Sequence, residues 1–279
     1  MSGKASDGLT QPIGVFDSGI GGLSILRALH AELPAEDFVY IADSGHAPYG
    51  ERDAAHVLER SRAITNYLRQ NRHIQLLVVA CNTATALAIN TLRRENPGFD
   101  IVGVEPALKP AAAMTRTGRV GVMATRGTLT SSRFQALLDT VNIQAEFICQ
   151  PCDGLAEAIE QSVHSDNTTK LIALCEQYTG AIGQFGHESG QIDTLVLGCT
   201  HYPFVQGYLH DLVGQSIPFI STGEPVARQT RRLLRSANGG LRENRLGQIT
   251  MGTTGQVAHL KSAAEQWLHW QGNVDSLLI

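Results

Sequence analysis

Two strand-to-turn motifs each occur twice in this chain, in the same order, and nothing else in the sequence narrows the fold so far. Ile13-Gly14-Val15-Phe16-Asp17-Ser18-Gly19 is a short apolar run opening into a glycine-rich turn. Val120-Gly121-Val122-Met123-Ala124-Thr125-Arg126-Gly127-Thr128 has the same form further along. Leu77-Val78-Val79-Ala80-Cys81-Asn82-Thr83 is likewise echoed by Leu195-Val196-Leu197-Gly198-Cys199-Thr200-His201. One pair of look-alike strands carries little weight, because buried parallel strands all draw on the same few residues. Two pairs kept in order point to two β/α halves of one topology.

The rest of the chain fits that plan. Ile13–Phe16, Phe38–Ile41, Leu76–Ala80, Ile101–Val104, Val120–Met123, Glu146–Cys149, Thr194–Leu197 and Pro218–Ile220 read as strands. Several are apolar throughout, as parallel strands covered on both faces are. Helical patterns such as Gly22–Leu33 and Ala54–Asn71 lie between them, and Val257, Leu260, Ala264 and Trp267 share one face of a late helix. The expected fold class is α/β: two pseudosymmetric doubly wound domains with mainly parallel sheets, which, if they face each other, put an active site at the domain interface. The chain is expected to cross over near Glu105-Pro106 and return near Pro218. The first domain then comprises residues 1–105 and 219–279, and the second residues 106–218. A length of 279 residues, 43% of them hydrophobic, suffices for two such cores.

Composition removes whole classes of function. A net charge of −4 supplies no basic field, so no nucleic-acid partner is expected. The start, Met1 to Pro12, is polar and lacks the apolar stretch of a signal peptide. The most apolar stretch, Ile74 to Ile89, is broken by Gln75, Cys81, Asn82, Thr83 and Thr85, so no membrane span is expected. Five cysteines, an odd number, argue against a disulfide framework and for reduced thiols in a cytoplasm. Cys149 and Cys152 form a C-x-x-C with no second pair to complete a zinc site, and no metal is expected.

The chemistry is sought where ligands bind in open α/β sheets, beyond the carboxyl ends of the strands. Cys81 and Cys199 each follow directly on an apolar strand, before a small polar residue and a helix-like segment. At a helix N-terminus the peptide dipoles favour the thiolate and lower its pKa. A lone buried cysteine is usually inert. Two on equivalent strands of two similar halves can approach one ligand from opposite sides, which is what inversion at a carbon requires. Asp17, in the same half as Cys81, and His201, two residues after Cys199, are candidate proton carriers for them. A pyridoxal-phosphate mechanism needs a Schiff-base lysine, and none of Lys4, Lys109, Lys170 and Lys261 follows a strand beside a glycine-rich phosphate cup. No cofactor is therefore expected. Gly19-Ile20-Gly21-Gly22 reads as an anion cup at a helix N-terminus.

At Asp17-Ser18-Gly19, Cys81-Asn82-Thr83 and Gly198-Cys199-Thr200-His201-Tyr202-Pro203 the sequence resembles the glutamate racemases of the cofactor-independent aspartate/glutamate racemase family. Pro48-Tyr49-Gly50 and the run from Gly121 to Thr128 match as well, and the resemblance extends from Ile13 to about residue 235. It implies a racemase, hence an isomerase, that interconverts L- and D-glutamate and supplies D-glutamate for peptidoglycan synthesis, cell-wall biogenesis and cell shape. Carried over by motif, Cys81 and Cys199 are the acid and base, and Asp17 and His201 assist. Ser18, Pro48, Tyr49, Gly50, Asn82, Thr83, Thr125, Thr128 and Thr200 hold the substrate, together with Asp17, the two cysteines and His201. Glu160 is matched as a further carboxylate beside His201, with Glu157 and Asp153 as its neighbours in a looser segment. Related aspartate racemases tend to carry Glu where this chain has His201, which favours glutamate. The chain departs from the family at Ser221-Thr222-Gly223, where Asp-Ser-Gly is frequent. A homodimer and a peptidoglycan-precursor activator are compatible with the resemblance, and the sequence assigns neither.

Overall fold

The computed structural model describes residues 11–164, 168–236, 241–242 and 245–279; most of the polar leader, with Lys4, lies outside them. Strands and helices alternate. The first half contains β1 (Ile13–Asp17), α1 (Leu23–Glu32), β2 (Phe38–Ala42), α2 (Ala54–Asn71), β3 (Leu76–Val79), α3 (Asn82–Glu95) and β4 (Ile101–Gly103). The second contains α4 (Leu108–Met114), β5 (Arg119–Ala124), α5 (Arg126–Leu129), α6 (Ser132–Asp139) and β6 (Glu146–Pro151). It continues through α7 (Leu155–Ser162), α8 (Thr169–Ile182), β7 (Thr194–Gly198), α9 (Gln206–Val213) and β8 (Phe219–Ile220). The chain ends with α10 (Gly223–Ser236), β9 (Ile249–Thr253), α11 (Val257–Leu268) and β10 (Val274–Ser276).

Both sheets are parallel throughout, ordered β10-β9-β2-β1-β3-β4 and β6-β5-β7-β8. Counted from its own first strand, each half places its strands second, first, third, fourth, so the repeat in sequence is a repeat of topology. Helices cover both faces of each sheet. Ile13 and Val15 point into one core with Leu23, Leu26 and Leu29 of α1, while Phe16 joins Ile64, Ala88 and Leu92 on the other side. In the second sheet Met123, Leu195 and Leu197 pack on α7, α8 and α9, and Val120, Val122 and Val196 pack on α4 and α6. Burial on both sides is why these strands are apolar without alternation.

Two features depart from the sequence reading. β9 and β10, which have no counterpart among the expected strands, extend the first sheet beyond β2. Ile249-Thr250-Met251-Gly252-Thr253 has no strong strand pattern and is fixed by its register with Phe38–Ala42. The second departure is the return between sheets. Phe219–Ile220 pairs with Leu195 and Val196, so residues 219 and 220 lie in the second sheet rather than the first. The chain goes back with α10, whose Val226, Ala227 and Leu234 share a core with α1. A two-residue strand carries no pattern of its own, and its partner decides where it belongs. The outward connection runs from β4 to α4, whose Leu108 and Ala111 lie in the second sheet's core.

Winding reverses between β1 and β3, and between β5 and β7, so each sheet opens a crevice at those carboxyl ends. The two crevices are brought together. Thr83 Oγ1 lies 3.0 Å from Thr125 Oγ1, and Ser24 Oγ donates to the Thr200 carbonyl at 2.8 Å. Among the described residues no helix is long and apolar enough to cross a membrane.

Candidate active site

Cys81 caps α3: its sulfur accepts from Ala84 N–H at 3.4 Å and lies 3.8 Å from Ser18 Oγ. The expected lowering of its pKa does not hold. Burial pushes the Cys81 thiol well above its ordinary value, the charge of Asp17 adds to that, and the Ala84 N–H opposes it only in part. Desolvation of a wholly buried sulfur outweighs one helix terminus. A charge on Cys199 also opposes ionisation of Cys81, so the two sulfurs share one electrostatic space. Asp17, at the end of β1, is fully buried. Burial raises its carboxyl, while the charge of His201 and the neighbouring Cys81 thiol pull it down.

The second half is built differently. Cys199 follows β7, but a turn and a short 3-10 segment (Tyr202–Val205) separate it from α9, so it does not cap an α-helix. Its sulfur lies 3.6 Å from His201 Nδ1. His201 Nε2 lies 2.7 Å from Glu160 Oε1 on α7, and Glu160 Oε2 lies 2.9 Å from His259 Nε2 on α11. Burial works against the His201 imidazolium, yet its bonds to Cys199 and Glu160 hold its pKa well above the ordinary value. Burial likewise works against the Glu160 carboxylate, and the hydrogen bonds from His201 and His259 bring its pKa down to about 2. The neighbouring carboxylates go elsewhere: Glu157 faces Lys170 at 3.7 Å and Asp153 pairs with Arg126. His259 escaped the sequence reading, since nothing in Val257-Ala258-His259-Leu260 distinguishes it from any helical histidine.

The glycine-rich turn after β1 is an anion cup whose anions are the protein's own. Gly22 N–H donates to Asp17 Oδ2 at 2.5 Å, and Ile20 N–H to Glu160 Oε1 at 2.8 Å. Only glycine allows the approach: a Cβ at Gly19 would stand 1.9 Å from Glu160 Oε1, and one at Gly21 2.4 Å from His201 Nδ1. Across the gap, the hydroxyls of Thr83, Thr125 and Thr128 form a chain with steps of 3.0 and 2.9 Å. Gly50 leaves room for Thr125, whose Cγ2 lies 2.7 Å from where its Cβ would be. Thr200 Oγ1 donates to Asp17 Oδ2 at 3.4 Å. Pro48, after a cis Ala47–Pro48 peptide, stands at the mouth of a cleft with Glu160 and His259. Tyr49 is committed inward, its hydroxyl donating to Asp43 Oδ2 at 2.5 Å. Asn82 is buried with neither amide oxygen nor nitrogen partnered, and Asp17 Oδ1 is unpartnered too. Buried polar atoms without partners in a crevice are acceptors and donors left for a ligand.

Two thiols thus lie at equivalent strand ends, with a carboxylate near one and an imidazole beside the other, in the crevice between the two halves. The chain belongs to the Asp/Glu/Hydantoin racemase family, whose model matches residues 13–230, and is an isomerase by class. It is 50% identical over 224 residues to the glutamate racemase of Pseudomonas paraeruginosa, covering 80% of this chain and 81% of that protein. A glutamate racemase isoform of Bacillus anthracis superposes with a TM-score of 0.84 at 31% identity, over 96% of this chain and 98% of the other. The Escherichia coli glutamate racemase, solved with L-glutamate and the activator UDP-MurNAc-ala, gives 0.80 at 29% identity over the same shares.

Proposed function

We propose that this chain is a cofactor-independent glutamate racemase in which Cys81 and Cys199 act from opposite faces of the substrate. The observation that carries the reading is the placement of both thiols at the ends of the third strand of each sheet, within electrostatic reach of each other. In one direction the thiolate of one cysteine takes the α-proton, breaking C–H and forming S–H. The opposite thiol then protonates the other face, and in reverse the roles exchange. Asp17 and His201 carry the thiol protons, and Glu160 supports His201. Asn82, Ser18 and the Thr83, Thr125, Thr128 and Thr200 hydroxyls hold the carboxylates and amine, with Pro48, Tyr49 and Gly50 shaping the wall. A hydrogen-bond donor placed on the carboxylate as it gains enolate character is worth about 3 kcal/mol of barrier. The relatives' names support glutamate as the substrate. The same reading carries a cytoplasmic location, D-glutamate supply to peptidoglycan synthesis and a peptidoglycan-precursor activator, the last supported by the activator bound to the Escherichia coli enzyme.

The test is α-proton exchange of L- and D-glutamate in heavy water with no added cofactor. The intact protein exchanges both enantiomers. Cys81→Ala and Cys199→Ala each lose racemisation by more than about a thousandfold while still exchanging one enantiomer, and a different one in each. Full racemisation by either variant overturns the two-base reading.

A further inference from the structure

The polar chain behind Cys199 runs one residue further than a thiol, an imidazole and a carboxylate require. Glu160 belongs to α7 on the second sheet, but two of its three hydrogen bonds come from the first half: Ile20 N–H at 2.8 Å and His259 Nε2 at 2.9 Å. The backbone donor and His201 both engage Oε1, so His259 is the partner of Oε2. A carboxylate held through one oxygen can still swing about its Cγ–Cδ bond, and one held through both cannot. The orientation of His201 follows from that of Glu160, because Nε2 is engaged by the carboxylate and Nδ1 is thereby aimed at Cys199. His259 is itself braced. Its ring lies 5.0 Å from that of His164 at 58°, and its side chain is only 16% exposed, at the edge of a cleft of about 340 Å³ lined also by Ser44, Pro48 and Gln256.

We propose that His259 is a positioning residue for the Cys199 half of the reaction: by donating to Glu160 Oε2 it fixes the carboxylate that holds His201 toward the sulfur. The inference rests on the two-thiol reading above. The Cys81 side is held by other groups: Ser18 and Ala84 of the first half contact its sulfur, and the neighbouring Asp17 accepts from Gly22 N–H and from Thr200 Oγ1 of the second half. The consequence is one-sided: loss of His259 slows the step taken at Cys199 and leaves the step at Cys81 alone. A contact that merely held the two halves together would affect both steps alike.

The experiment uses α-proton exchange in heavy water with one thiol at a time. Cys81→Ala leaves exchange to Cys199, and Cys199→Ala leaves it to Cys81. Adding His259→Ala should slow exchange at least tenfold in the first background and less than twofold in the second. His259→Gln, whose amide nitrogen can still donate to Oε2, should restore most of the loss. With both thiols intact, His259→Ala should make the α-deuterium isotope effects on L- and D-glutamate diverge, since only one proton transfer has slowed. Equal losses in both backgrounds, no loss in either, or isotope effects that stay equal overturn the inference. Absence of one-sided exchange in the two parent variants overturns the two-thiol reading itself, and this inference with it.

Discussion

Glu160 shows how a residue can be settled by its partners rather than its own preferences. Burial alone would keep it protonated, but two imidazoles and an amide hold it ionised with a pKa of about 2 against an ordinary 4.5. Its contribution to stability is therefore fully present above pH 4.5 and is lost as pH falls through about 2. That linkage is worth about 3 kcal/mol. His201 runs the other way: its pKa is raised, so its contribution is present below 6.5 and is lost as pH rises through the folded value. Glu160→Gln should destabilise the protein by about 3 kcal/mol at neutral pH, because a buried imidazolium loses its counter-charge. It should also flatten the fall in stability below pH 4.5 and lower kcat about a hundredfold. Urea denaturation between pH 3 and 7, with kcat from racemisation assays, measures both.

At the scale of elements, the turn joining β1 to α1 carries more of the site than any other segment. It carries Ser18, donates two backbone N–H groups to the carboxylates of Asp17 and Glu160, and comes close enough to the second half to touch His201. Gly21→Ala would place a methyl group 2.4 Å from His201 Nδ1 and 2.7 Å from Thr200 Oγ1. The imidazole must shift, and a misplacement near 1 Å costs about a hundredfold in rate. The expected outcome is a protein with native circular dichroism whose kcat has fallen by that order. The motif itself was legible, since a strand followed by Asp-Ser-Gly and more glycine announces a close approach. What the glycines approach was not. An anion-binding role is equally compatible with that pattern, and only the arrival of Glu160 from α7 shows that the cup is already filled.

At the scale of the molecule, the site exists only where the two halves meet. Thr83 meets Thr125, Ser24 meets the Thr200 carbonyl, and Gly154 N–H donates to Glu51 Oε1 at 2.9 Å, all from one half to the other. Thr125→Val removes the central hydroxyl of the threonine chain while keeping its volume. It should raise KM roughly tenfold for both enantiomers, the cost of one hydrogen bond of about 1.4 kcal/mol, with a smaller change in kcat. Steady-state kinetics in both directions checks this. A rise in KM for one enantiomer alone would place the threonine chain on one face rather than on the carboxylates.

The sequence by itself determined the α/β class, the parallel strands, the repeat of topology and the place of Cys81 and Cys199 just beyond two equivalent strands. These are legible because each is a local consequence: a strand buried on both faces must be apolar, and the residue after it lies at the crevice. Tertiary structure decided the rest. β9 finds its place only against β2, and Ile220 belongs to the second sheet only because Val196 pairs with it. The pKa of Cys81 goes up rather than down because desolvation is a property of everything packed around the sulfur. His259 is joined to Glu160 by a hydrogen bond between residues far apart in the chain, and no local pattern can encode a contact whose partner lies in another half of the molecule.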